Sequence, residues 1–349
     1  MTILTVLASI LCFGIIIFLH ELGHFFVAKK SGIRVLEFSI GMGPLIFQKQ
    51  RGETKYSVRC LPIGGYCAME GEDENSEDPR AFRKQAVWKR ILVTAAGAIM
   101  NIILGFFLII LTACLDTAIT STTIADFHTN EAGESIAASD EWLRVNDRFL
   151  EINGLHIFTA TDISYALQND DCDTFTVVVE RDGEKVTLEN VQFLNSQTQG
   201  LLDFYVYGQK KTIGNVLSFA CKNTASTARL IWISLFDLLS GKYGFHDLSG
   251  VVGVIDTTTE FVQQSKTLRE KCITLFDLMS FITINVGIFN LIPFPALDGG
   301  RLVFLVIEAI TKKQVPAKIE SAIHFIGLSL LMILMIAVTF QDVFKIFTR

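Results

Sequence analysis

Charge is scarce in this chain: 19% of its residues are Asp, Glu, Lys or Arg, against about 25% in an ordinary soluble domain. Proline is scarce as well, 6 in 349 residues, which excludes collagen-like and low-complexity classes. The seven cysteines form no C-x-x-C pair and no zinc-ribbon spacing. Their odd number, with Cys12 and Cys114 inside apolar segments, argues against a disulfide framework and predicts buried free thiols. A net charge of −6, from 30 basic and 36 acidic residues, leaves no footprint for nucleic acid. No basic region precedes the first apolar run and no small-residue cleavage signal follows it, so a cleaved signal peptide is not expected. What the chain has in abundance is apolar: 50% hydrophobic residues, 28 of them Phe, and a mean hydropathy of +0.43. These proportions describe an integral membrane protein with a soluble part.

A membrane span needs roughly 20 apolar residues. Runs of that length cover Ile3–Ala28, Ile91–Leu115 and Leu278–Leu297, and a slightly shorter fourth covers Ile323–Phe340. Lys and Arg near span ends set orientation. Lys29, Lys30, Arg34, Arg80, Arg83, Lys84, Lys89 and Arg90 lie between the first two runs, and Lys312, Lys313 and Lys318 between the last two. Loops 29–90 and 311–318 are therefore expected on the cytoplasmic side. Between Asp116 and Gly208, 17 acidic residues face four basic ones, so this stretch is expected outside, with the N-terminus. Leu230–Leu239 is strongly apolar but only about ten residues long, which predicts an interfacial or buried helix rather than a span.

Two regions carry strand signals. From Thr120 to Tyr207, Phe175-Thr-Val-Val-Val-Glu180, then Arg-Asp-Gly, then Lys185-Val-Thr-Leu188 reads as a hairpin, and Thr161–Gln168 as a short helix. Leu143-Arg-Val-Asn-Asp-Arg-Phe-Leu-Glu-Ile-Asn-Gly154 resembles the strand-and-turn signature of PDZ domains, whose usual Gly-Asp is Asn146-Asp147 here. That resemblance implies peptide binding by strand addition; the plainer reading is a β-rich spacer. In the cytoplasmic loop, Gly41-Met-Gly-Pro44 and Pro62-Ile-Gly-Gly65 bracket strand-like runs such as Tyr56–Cys60. They describe either a hairpin with tight turns or a sheet edge, around Gly64 and Gly65, that holds an unwound peptide beside a catalytic site.

The chemistry is concentrated in His20-Glu-Leu-Gly-His24. The i, i+4 spacing puts both imidazoles on one helical face where they can share a metal, with Glu21 placed to take a proton from water. Two histidines and a glutamate inside a membrane helix are costly unless they are functional or paired. Catalytic zinc usually has three protein ligands and an open position. The best third candidate is Asp298, in Asn290-Leu-Ile-Pro-Phe-Pro-Ala-Leu-Asp-Gly-Gly300, where prolines stop a helix and glycines permit close backbone approach. Asp298 could otherwise cap the next helix. Orientation favours the pairing, since four spans put His20, His24 and Asp298 on the same inner side. A fifth span at Leu230–Leu239 would separate them.

Together, these two motifs resemble the bacterial site-2 protease family of intramembrane zinc metalloproteases, and the PDZ-like insert and span order resemble its regulator-of-sigma-factor branch. The resemblance implies a polytopic α-helical membrane protein: four transmembrane helices, a cytoplasmic membrane-associated β loop at about 34–69, and an external PDZ-like α+β domain. The expected division is 1–115 and 277–349 for the two halves of the membrane core, 116–208 for the external domain, and 209–276 for a helical linker. It implies Zn2+ held by His20, His24 and Asp298, Glu21 as general base, and Asn290 on the substrate backbone or the developing oxyanion. Expected partners are the lipid bilayer and single-span proteins of a bacterial inner membrane, such as anti-sigma factors or remnant signal peptides, after an upstream site-1-type protease has cut. Departures are Ala98 and Val251, where the family commonly has proline. His128, His156, His246 and His324 are read as surface or packing residues. The alternatives are a membrane-anchored H-E-x-x-H protease with a cytosol-facing site, and a non-catalytic membrane PDZ scaffold.

Overall fold

The computed structural model of the protein describes residues 3–72, 74, 76–130, 135–168, 172–193, 203–242, 253 and 267–348. Val251 and His246 lie outside the described residues. In chain order the main elements are α1 (Ile3–Lys30), β1 (Val35–Arg51), β2 (Thr54–Met69), α2 (Val87–Leu115), β3 (Ile119–Phe127), β4 (Arg148–Ile152), β5 (Leu155–His156) and α3 (Ala160–Gln168). They continue with β6 (Phe175–Arg181), β7 (Glu184–Val191), β8 (Phe204–Gln209), α4 (Ile213–Leu239), α5 (Leu268–Asn290), α6 (Asp298–Thr311) and α7 (Ala317–Thr348).

Among the described residues, four helices are long and apolar enough to cross a membrane: Ile10–Lys30, Val87–Leu115, Leu268–Asn290 and Ala317–Lys345. The third differs from its expected extent. It begins earlier, behind a capping box in which Thr267 and Glu270 satisfy each other's backbone donors, and its first turns carry Arg269, Glu270 and Lys271, which an apolar run excludes. It ends at Asn290, because Pro293 and Pro295 cannot continue the ladder. The segment Leu230–Leu239 is likewise not a ten-residue helix. It is the last part of the 27-residue α4, where it follows the polar stretch Lys222–Arg229; α4 is not one of the four candidate spans. No disulfide joins any of the seven cysteines, and Cys60, Cys114, Cys172 and Cys221 are exposed. The expectation of burial fails at these four; Cys114 lies on a helix apolar enough to cross a membrane, and the outer surface of such a helix is exposed in the protein itself.

The chain divides into two compact units. One joins Met1–Leu108 to Ile233–Arg349, and the other is Ile109–Trp232. The smaller unit holds a sheet in the order β7-β6-β4-β3-β8, with β5 on β4. The Arg-Asp-Gly turn between β6 and β7 has Asp182 and Gly183 both at positive φ, 54° and 85°, the turn geometry that matches strand twist. Asn146 stands where the PDZ signature has glycine and adopts φ 75°, a conformation that asparagine tolerates better than most residues. Ile124, Leu143, Phe149, Ile152, Ile163, Val177 and Val179 form the core here, none more than 1% exposed.

In the larger unit, β1 and β2 form an antiparallel pair with unusual register. Phe38 pairs with both Cys67 and Tyr56, while Lys49 also pairs with Tyr56. Each long strand therefore bends and doubles back, giving four ribbons side by side. The bends fall at the two glycine motifs: Gly41, Gly43 and Gly64 have φ 81°, 84° and 94°, open to glycine without a Cβ clash. These motifs are thus bends within strands rather than hairpin turns. The turn itself lies at Arg51–Thr54, with Gly52 at φ 62°. Glu53 in that turn bonds Lys29 at 2.8 Å and Arg80 at 2.7 Å, and these hydrogen bonds hold its carboxyl below the usual range. Ala28, Ile33, Val35, Met69, Phe82 and Val93 form the core that seats the β pair against α1 and α2.

Candidate metal centre

Helix geometry puts His20 and His24 on one face of α1, both about nine-tenths buried. That face meets α2 at very short range. A Cβ on Gly23 would come within 2.5 Å of the Ala96 carbonyl oxygen. A Cβ on Gly97 would lie 2.4 Å from His24 Nε2 and 2.8 Å from His20 Nε2. The small residues Ala96-Gly97-Ala98 are therefore what lets α2 form the floor beneath both imidazoles. The Ala98 carbonyl in turn accepts the close approach of Gly287 on α5, and Ala98 is fully buried.

Asp298 reaches the same place from the other end of the chain. After α5 ends, residues 291–297 fold back on the start of α6. Cβ atoms on Gly299 and Gly300 would clash with the Ile292 and Phe294 carbonyl oxygens at 2.1 and 2.4 Å, so both positions admit only glycine. Asp298 Oδ2 lies 3.2 Å from His20 Nε2 and 3.4 Å from His24 Nε2. The two Nε2 atoms are 3.2 Å apart. Three ligand atoms thus form a nearly equilateral triangle.

The size of that triangle tests the fit to a metal. Tetrahedral donors 2.0–2.1 Å from zinc are about 3.3–3.4 Å from one another, which matches the spacing here. Proton bookkeeping agrees. His24 Nδ1 is 2.8 Å from the Val93 carbonyl oxygen, so Nδ1 carries the proton and Nε2 offers a lone pair. His20 Nδ1 is 3.3 Å from the Asn101 amide, and Asn101 Oδ1 is buried without a partner. Turning that amide half a revolution gives Oδ1 a donor and leaves His20 Nε2 with its lone pair free. Asp298 Oδ2 is also buried without a hydrogen-bond donor. Three lone-pair donors converging in a buried space repel one another unless a cation joins them. Among the described residues this is the one group of histidine, cysteine and carboxylate side chains close enough to hold a metal ion.

Glu21, half-buried, points toward the β pair: a Cβ on Gly65 would lie 3.2 Å from Glu21 Cγ, and the Cys67 backbone hydrogen-bonds to the Glu21 carboxylate. Gly64 packs instead against Met42. Asn290 closes α5, and none of the described contacts joins it to the triad. Val93, Gly97 and Asn101 are the residues that sequence reading misses. Their i, i+4, i+8 spacing on α2 marks one helix face, but only tertiary packing shows that this face is the one under His20 and His24.

A helix apolar enough to cross a membrane carries both histidines, and a distant aspartate closes a group that could hold a metal ion, an arrangement suited to a membrane metallopeptidase. Comparison with known proteins sharpens the class. A model of peptidase family M50 matches residues 8–334, and the chain belongs to that family. The expected kinship with site-2 proteases is thereby borne out. The chain is 33% identical over 346 residues, 98% of each protein, to a Clostridium acetobutylicum protein that bears the provisional name of a zinc metalloprotease. It is 30% identical over 431 aligned positions to zinc metalloprotease RasP of Bacillus licheniformis, covering 98% of this chain and 99% of that one. Identity is 29% over 428 positions, with the same coverage, to regulator of sigma-W protease RasP of Bacillus subtilis. Both RasP alignments exceed the 349 residues of this chain, so these relatives carry additional residues.

Proposed function

We propose that this M50 peptidase is an intramembrane zinc metalloprotease in which His20, His24 and Asp298 hold the ion and Glu21 is the general base. The observation that carries the reading is the buried triangle of three lone-pair donors beside Glu21. When bound, zinc supplies Lewis-acid polarisation of water and of the scissile carbonyl. Glu21 accepts the proton of the attacking water and then delivers it to the leaving amine, a role worth about 10²–10⁴-fold in rate. Val93 and Asn101 hold the two imidazoles in the tautomers that binding requires.

The substrate is a transmembrane segment of a client protein. A helix hides its carbonyls, and unpaired backbone groups in lipid are costly, so the client must be extended at the point of cleavage. The ribbon at Gly65–Met69 runs beside Glu21 and offers its backbone to an extended peptide; Asn290 is assigned to the substrate backbone. Ile40, Met42, Leu45, Ile46, Phe47 and Leu61 on the same β pair are exposed, which suits a loop that dips into lipid on the cytoplasmic side. The acidic smaller unit is read as a PDZ-like domain outside the membrane, which favours clients already shortened by an upstream protease. The name of the Bacillus subtilis relative supports anti-sigma factors as one client class.

The test uses Glu21→Gln in purified full-length protein with a tagged single-span reporter. Zinc content should match wild type while cleavage falls by about 10²–10⁴-fold. Cleavage at the wild-type rate in that variant would remove Glu21 from the chemistry.

A further inference from the structure

Asp298 is the member of the triad at a helix end, whereas His20 and His24 lie within α1. It opens α6 directly after the 291–297 turn, and two residues before it Ala296 has φ +79°. A left-handed alanine is uncommon and persists where its surroundings over-determine it. Two contacts from α7 do so. The Ala296 N–H donates to His324 Nδ1 at 3.0 Å. One turn further along, Gly327 is buried, and a Cβ there would sit 2.4 Å from Pro295 Cβ and 2.5 Å from the Pro295 carbonyl oxygen. The His324 ring also meets Phe304 of α6 edge-on, with centroids 5.8 Å apart at 62°. One imidazole thus touches both the turn before Asp298 and the helix after it.

We propose that His324 is a positioning residue for the metal centre: its Nδ1 lone pair holds the Ala296 amide and so fixes where the Asp298 carboxylate reaches. The proposal rests on Asp298 being a metal ligand. It separates His324 from a packing residue in a specific way. Packing against Phe304 needs only a flat ring, whereas the Ala296 amide needs an acceptor at the Nδ1 position. His324→Phe keeps the ring and removes the acceptor. His324→Asn loses the ring but sets an oxygen close to where Nδ1 lies, and His324→Gln carries that oxygen too far along.

The experiment measures zinc release to a chelator, zinc stoichiometry, thermal unfolding of the metal-free protein and kcat/KM on a single-span reporter. Ligand-supporting partners are typically worth 10–100-fold in metal affinity or activity. His324→Phe should release zinc on the order of 10-fold faster, with a matching loss of kcat/KM and a metal-free Tm no lower than that of His324→Gln, which should behave alike. His324→Asn should return to within about threefold of wild type. Wild-type zinc release in His324→Phe overturns the proposal, and so does an Asn variant no better than Gln. If the Phe variant does not fold, the Asn–Gln pair carries the same comparison. Wild-type protein that takes up no zinc defeats the metal assignment itself, an outcome distinct from a wild type that holds zinc and a His324→Phe that holds it equally well.

Discussion

Two buried aspartates of the smaller unit and one of the larger are held in opposite ways. In the smaller unit Asp147 is 1% exposed and accepts from the Arg144 N–H and from two guanidinium nitrogens of Arg181. Those bonds raise the Arg181 pKa above its ordinary value. Asp162 is wholly buried there and accepts from the Phe158 and Thr159 amides, the Thr159 and Ser226 hydroxyls, and Arg229. Every oxygen of these two carboxylates has a donor. In the larger unit Asp298 Oδ2 is buried with no donor and faces two imidazole nitrogens. A satisfied buried charge holds a fold together; an unsatisfied one waits for a ligand. The contrast separates scaffold from site without reference to sequence motifs.

Substitution can break the comparison, and the largest effect falls on the site. Asp298→Ala should abolish measurable cleavage and stoichiometric zinc. Stripped of metal by a chelator, the variant should be no less stable than wild type and gain up to about 1–3 kcal/mol, because an unpaired buried group has been removed. A large loss of metal-free stability, read by thermal unfolding, would make Asp298 scaffold after all.

Asp147→Ala should do the reverse. Leaving Arg181 without its partner costs about 3–5 kcal/mol where the pair is buried. The expected loss is toward the lower end, since the Arg181 side chain is 16% exposed. Unfolding monitored at Trp142 in the smaller unit should shift, while zinc stoichiometry stays intact. Zinc loss in this variant would contradict the division of labour.

Gly97→Ala sharpens the same point from the neighbouring helix. The added methyl meets His24 Nε2 at 2.4 Å, so the imidazoles must move. Zinc affinity should fall by about 10–100-fold, the scale seen when a ligand's support is lost, with the helix preserved by alanine's propensity. Unchanged affinity would show that the triad tolerates a raised floor.

The smallest effect is a pH dependence outside both the site and the buried pairs. Glu53 has its pKa lowered in the folded protein by its bonds to Lys29 and Arg80. A depressed folded pKa contributes stability that is present above the ordinary value of 4.5 and is lost as pH falls from there through the lower folded value. Thermal unfolding followed from neutral pH into that range should show a shallower decline in Glu53→Gln than in wild type. An identical decline in the two proteins would remove the Lys29–Glu53–Arg80 cluster from the acid response.

Much of this was legible because local rules were enough. The spacing of His20 and His24 fixes a shared helix face, and the apolar runs mark four helices, though not their ends. Those ends depend on features that a hydropathy window averages away: the capping box at Thr267 and the prolines at 293 and 295. The hairpin Phe175–Leu188 was readable from its turn, whereas the doubling back of β1 and β2 was not, since register with two neighbours at once is a tertiary property. The same holds for Val93, Gly97, Asn101 and His324. Each is an ordinary residue in its own helix and acquires meaning only from what packs against it.

The distance along the chain between His24 and Asp298 has a consequence in time. They are 274 residues apart, and ribosomes add about 5–20 residues per second. Roughly 14–55 s therefore separate synthesis of the first half of the triad from the second. During that interval the growing chain carries both histidines and the glutamate in place without the carboxylate that completes the set. On the proposed ligand set, the third metal ligand is therefore supplied only once the protein's own late helices have been made.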